Sequence, residues 1–183
     1  MPAGLRFGEE GREAADVDRR VLGQHTDELY DILWLAPGGG FGNTTAGRLN
    51  ALSPIETFPD ALARSYSWNF RVRDNWRNHH LRVTVEFGST GASTNTYNIT
   101  VAAYAFGAAI DPTAGRTIGS VASTPAGPAA TTTMLSFASS LTTSPVTSQT
   151  DTFLAVKVSR DGAADANNND FALLGVIVEA YPA

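Results

Sequence analysis

The feature that most narrows the fold of this chain is an alternation of period two that begins near Arg48 and continues towards the C-terminus. In SYSWNFRVR, Tyr66, Trp68, Phe70 and Val72 alternate with polar residues, and Leu81, Val83, Val85 and Phe87 do the same in HLRVTVEF. Successive side chains of an extended chain point to opposite faces, so each segment presents one apolar and one polar face, as a half-buried strand does. NTYNITVAAYAF, a short stretch near Thr117–Val121, TTTMLSFAS, TFLAVKVSR and FALLGVIVEAY extend the series. STGAST reads as a turn that returns NTYNITVAAYAF as a partner strand, and loops bearing proline and glycine separate most of the others. Both faces of NTYNITVAAYAF are fairly apolar, which predicts cover on both sides, by another subunit for example. Seven or eight strands without a helix among them predict an all-β fold, a jelly-roll-like antiparallel β-sandwich. Immunoglobulin-like sandwiches share this spacing, so strand order stays open.

The first 45 residues have a different pattern. EEGREAADVDRRVL (9–22) alternates charges with few apolar positions, so a helix there is short and solvated. Thr26 can cap a second helical stretch in which Leu29, Ile32 and Leu33 share one face, before Pro37 and three glycines stop it. Two or three turns are marginal alone in water, so this segment needs a surface to lie against. The organisation expected is an N-terminal anchoring arm with a Gly-rich linker over residues 1–45, and a β-sandwich body over 46–183.

Charge and composition remove several function classes. The formal charge of −5 argues against a nucleic-acid binder, which needs surplus cations to displace counterions. Apolar runs are far shorter than the ~20 residues of a membrane span, so no membrane partner is expected. Absence of cysteine removes thiol chemistry, and Lys157 is the single lysine. PGGGFG (37–42) lacks the histidine and nucleophile elbow of an esterase and the Lys-Ser/Thr of a phosphate loop, so it reads as a flexible linker. His79 and His80 are neighbours and would point to opposite faces of a strand, which defeats shared metal ligation. Glu86 and Glu179 are the acids placed on strands, with nothing to pair them. The expectation is a chain that is not an enzyme, with no catalytic residues, no cofactor and no metal site.

Two clusters stand out beyond this. Asp161, Asp165 and Asp170 lie in an Asn-rich loop after Arg160, which can pair bidentately with Asp161 or Asp165. Spacing there is not that of a calcium loop, and a structural acidic loop is the preferred reading. Trp34 and Trp76 fall outside the clear strands and could stack on a sugar, although a loop tryptophan is more often a packing anchor.

VKVSRDGAADANNNDFALLGVIVEAYP resembles the closing hairpin of jelly-roll virion structural proteins of tailed bacteriophages, and HLRVTVEFGSTGASTNTYNITVAAYAF resembles their central hairpin. The resemblance spans roughly residues 50–183; the acidic loop is more Asn-rich than the pattern, and the arm carries no signature of the family. It implies a homotrimeric capsid decoration (cement) protein on the exterior of the phage particle, with the major capsid protein or another virion protein as partner. Leu29, Ile32, Leu33 and Trp34 would then be the particle-docking residues. The alternative is a head-fibre or tail-fibre receptor-binding protein that recognises a host surface glycan.

Overall fold

The computed structural model describes residues 31–49, 53–107, 115–131, 133–146 and 152–182. The chain divides into two units, Met1–Tyr30 and Asp31–Ala183, and every described residue belongs to the second. Leu29 and the expected helix over 9–22 therefore lie outside the described residues.

Eleven strands are present among the described residues: β1 (Asp31–Leu35), β2 (Phe41–Gly42), β3 (Thr45–Leu49), β4 (Ser53–Phe58), β5 (Ala63–Arg71), β6 (His79–Ser89), β7 (Ile99–Phe106), β8 (Arg116–Ser123), β9 (Leu135–Val146), β10 (Phe153–Asp161) and β11 (Phe171–Pro182). Sheet A has the order β3-β4-β11-β6-β9 with β1 also paired to β11, and sheet B has the order β2-β5-β10-β7-β8. All named pairs are antiparallel. This is the expected all-β, jelly-roll-like sandwich.

The alternation read from sequence places the core between the sheets. Leu81, Val83, Val85 and Phe87 of β6 and Leu154, Val156 and Val158 of β10 are buried, while their strand neighbours turn outward. Phe87 stacks on Phe171 with centroids 4.8 Å apart, and Phe58 and Tyr97 meet Phe171 edge-on at 5.7 and 5.2 Å. Each such buried side chain contributes on the order of 1.5–3 kcal/mol relative to exposure.

Three sequence expectations change here. Residues 31–45, assigned to the arm and its linker, are part of the sandwich, because β1 pairs with β11 and β2 with β5. Of the predicted helix, the described part, Asp31–Leu35, is instead a strand. β4 pairs with β11 only at Phe171–Leu173, leaving the rest of that strand's edge to β1, whose Leu33 and Leu35 pack on the core. A five-residue strand gains ladder hydrogen bonds and core contact there, whereas a two-turn helix would stand alone.

The two supposed hairpins are crossings between sheets. β6 pairs with β11 and β9, and β7 pairs with β10 and β8, so residues 90–98 carry the chain from sheet A to sheet B. Residues 162–170 likewise carry it from β10 back to β11. Local alternation fixes a strand's faces but not its partner.

Candidate functional site

Strand alternation divides the expected docking stripe between two sides. Leu33 faces the core, whereas Ile32 and Trp34 stand on the outer face of sheet A, each 55% exposed. The helical face that was to join Leu29, Ile32 and Leu33 does not form, because β1 is extended. Trp34 lies opposite Ile177, and its ring leans over Gly175. A Cβ at position 175 would be 2.8 Å from Trp34 Nε1 and 3.2 Å from Cε2. Glycine inside LLGVIV thus marks the place where the indole edge rests on bare backbone. The β6 pairing shifts register between Leu173 and Gly175, so the bulge and the aromatic seat coincide.

The rows around Trp34 mix apolar and polar groups. Trp34, Ile177, Thr84 and Ala138 lie across four strands in register, and Ile32, Glu179, Arg82 and Ser140 form the next outward-facing row. Arg82 lies over the Tyr181 ring at 5.6 Å, and His80 meets that ring at 5.6 Å. Glu86 is opposite Gly175 on the other side. Glu86 and Glu179, the strand acids singled out from sequence, therefore share this face. Four residues of β11 separate their rows, about 13 Å of strand. Chemically the face offers one large exposed aromatic surface flanked by a guanidinium, two carboxylates and hydroxyls.

Trp76, the other tryptophan considered for stacking, is fully buried in the 3₁₀ turn Asp74–Trp76, edge-on to Phe70 at 5.9 Å. It is a packing anchor. His79 and His80 open β6, and His79 Nδ1 lies 2.8 Å from the Arg77 carbonyl oxygen.

The acidic loop assembles around Arg160, whose side chain is 0% exposed. Its Nε donates to Asp165 Oδ2 at 2.7 Å and its Nη2 to Asp165 Oδ1 at 3.2 Å, the bidentate pairing anticipated for one of the two aspartates. Nη1 donates to the Phe58 carbonyl and Nη2 to the Asn167 carbonyl, each at 2.7 Å. Asp60 Oδ1 is 3.5 Å from Nη2, and the Tyr97 ring lies 5.0 Å from the guanidinium carbon. Asp170 does not reach Arg160; its Oδ1 accepts from the Asp60 backbone amide at 3.0 Å. Asp161 is exposed at the end of β10. Arg160 occupies the place a cation would take, and no group of three or more metal-ligating side chains occurs among the described residues.

The segment PGGGFG is fastened down, contrary to the flexible linker expected. The Gly38 and Gly40 amides donate to Tyr66 Oη at 3.1 and 3.2 Å, and Trp68 Nε1 donates to the Ala36 carbonyl at 2.9 Å. A Cβ on Gly40 would run into the Ser67 carbonyl oxygen, so this loop can lie close to β5 only with glycine there. Nearby Glu56, 5% exposed on β4, accepts from Thr44 Oγ1 at 2.7 Å. Sequence reasoning missed Glu56, because Pro54 and the short run SPIETF hide a strand. Burial pushes the Tyr66 hydroxyl above its ordinary value, opposed by the hydrogen bond from Gly40.

No protein-family model matches the chain, and no curated protein sequence does. Similar solved structures exist. A family 35 carbohydrate-binding module from Clostridium thermocellum superposes with a TM-score of 0.51 at 9% identity, over 84% of this chain and 99% of the module. An exo-beta-1,3-galactanase from Phanerochaete chrysosporium gives 0.49 at 13% identity, over 81% of this chain and 29% of the enzyme. The xylan-binding module CBM15 gives 0.48 at 14% identity, over 84% of this chain and 98% of the module.

The two-sheet antiparallel sandwich is thus the fold of that family 35 module, matched along nearly the module's whole length. The resemblance to phage virion proteins is overturned. The solved structure that superposes above a TM-score of 0.5 is a carbohydrate-binding module, not a virion part. The segments that suggested the resemblance are crossings between sheets rather than hairpins. With it go the cement role, the homotrimer, the capsid-protein partner and the location on the particle exterior.

Proposed function

We propose that the chain is a carbohydrate-binding module whose ligand lies on the outer face of sheet A. One observation carries this: Trp34, more than half exposed, with its ring edge set on Gly175 in a row of hydroxyl and charged neighbours. Sugars present apolar C–H faces and rims of hydroxyls, and a flat aromatic ring beside Arg82, Glu179 and Thr84 complements both. The likeness to the family 35 module supports the reading at the level of fold. Of the two ideas drawn from sequence, recognition of a glycan is the one retained, without a place on a phage.

The test is affinity electrophoresis of the full chain against a panel of neutral polysaccharides, followed by calorimetry on the best binder. Trp34→Ala is expected to weaken binding roughly thirty-fold, the scale set by removing a central tryptophan worth about 2 kcal/mol. Unchanged affinity in this variant, with an unaltered melting temperature, would overturn the reading.

A further inference from the structure

The outer face of sheet B is built differently from that of sheet A. Lys157, the chain's single lysine, stands at its centre on β10. Its in-register neighbours are Ser67 on β5 and Ala102 on β7, and Ser120 continues the row on β8. All are too small to cover a lysine side chain. Phe41, 60% exposed, lies opposite Ser67 from β2 and bounds the row. In the next outward-facing rows along β10, Tyr104 lies opposite Ala155 and Phe106 opposite Phe153. Arg71, exposed, is in register with Phe153, so a second cation lies about 13 Å along the strand from Lys157. Among the described residues of this face Asp161, at the far end of β10, is the one carboxylate. No salt bridge to Lys157 forms among the described residues.

A chain of net charge −5 thus keeps its only lysine on a floor of serine and alanine, flanked by aromatic rings and with no salt bridge among the described residues. We propose that this face is a second binding surface, for a polysaccharide that carries carboxylate or sulfate groups. The rings and hydroxyl-bearing floor suit a sugar backbone, and Lys157 and Arg71 supply the counter-charge at two points along it. Two cations on neighbouring strands, about 13 Å apart along the strand direction, call for an extended polymer rather than a single acidic sugar. The surface lies on the opposite side of the sandwich from Trp34, so the two would be occupied independently, and a module with both could join two chains.

The experiment uses the full chain carrying Trp34→Ala, so that sheet A does not contribute, in gels containing one polymer at a time. The probes are polygalacturonate, its methyl-esterified form, dextran sulfate and unmodified dextran. Retardation by at least one anionic polymer is expected, and none by its uncharged counterpart. The retardation should collapse by roughly 0.5 M salt, where the Debye length is a few ångströms. Polygalacturonate against dextran sulfate tells carboxylate from sulfate as the recognised group. Adding Lys157→Gln and Arg71→Gln is expected to weaken binding at least tenfold with the melting temperature preserved. Failure of both anionic polymers to retard the protein, equal retardation by charged and uncharged forms, or full binding by the Gln variant would each overturn the proposal. So would a native mass showing a dimer that the Gln substitutions dissociate, because a second copy would then be the occupant. The sheet A reading stands or falls separately, on Trp34 in the otherwise unaltered chain.

Discussion

The Arg160 end of the sandwich and the Trp34 face of sheet A use polar residues in opposite ways. At the first, every nitrogen of a buried guanidinium is directed at an oxygen of the protein, and Asp165, its partner, is 1% exposed. At the second, Arg82 and Glu179 stand opposite each other on neighbouring strands, and Arg82 lies over Tyr181 instead. A polar cluster that closes on itself has nothing left to offer a ligand and serves the fold. A polar set that faces water around an exposed ring is what recognition requires. The difference explains why the loop that looks most like a ligand site in sequence spends its polar groups on Arg160, and why a tryptophan in an apparently helical arm is the better candidate.

The sharpest way to break this contrast is to remove one member from each region. Arg160→Met leaves Asp165 buried without its partner and is expected to cost roughly 3–5 kcal/mol in urea unfolding. Pairing it with Asp165→Leu should restore part of that loss, since no charge is then stranded although the Phe58 and Asn167 carbonyls lose their donor. Trp34→Ala is expected to cost under about 1 kcal/mol of stability, because the ring is half in water, while its binding loss is the large one. If Trp34→Ala unfolds the protein and Arg160→Met does not, the assignment of the two regions is reversed.

A smaller effect tests the seat of the ring. Gly175→Ala places a methyl group within 2.8 Å of Trp34 Nε1, so the indole must shift. Binding on sheet A is expected to fall roughly three- to tenfold, a fraction of the loss in Trp34→Ala. Tryptophan fluorescence should report a changed environment, and stability should move by less than about 1 kcal/mol. An unchanged affinity would mean that the ligand does not depend on how Gly175 positions the ring.

Much of the core is legible in the sequence, and the reason is local. Leu81 to Phe87 and Leu154 to Val158 alternate cleanly, so their inward faces follow from strand geometry alone. Partnership was not legible. HLRVTVEF and NITVAAYAF sit close in sequence on either side of a Thr-Gly turn, yet their partners are β9, β11, β8 and β10, chosen by burial across the whole domain. The pairing of Arg160 with an aspartate was visible because a fork-shaped cation at a strand end beside a short acidic loop has few other partners. Trp34 was misplaced because LYDILWL satisfies a helical period as well as an extended one. Only the edge of β11 left open by β4 decides between them. Gly175 was the available signal: a glycine inside an apolar strand needs a reason, and the reason is a ring lying on it.

The smallest expected effect concerns alkaline pH and separates the interior from the outer faces. Burial raises the Tyr97 hydroxyl above its ordinary value near 10, opposed by its hydrogen bond with Ser89 and by Arg160. Burial raises Tyr66 in the same direction. A hydroxyl that ionises later in the folded chain than in the unfolded one favours unfolding as soon as the unfolded form begins to lose its proton. The stability these tyrosines contribute is therefore complete below about pH 10 and is lost as pH rises through their folded values. Urea unfolding at a series of pH values from 8 to 11 should show this fall. Tyr97→Phe should flatten it, while also losing the 2.6 Å hydrogen bond to Ser89 Oγ at every pH. A fall of the same steepness in the Tyr97→Phe/Tyr66→Phe double variant would place the alkaline sensitivity outside the core and weaken the view that the polar interior is closed against water.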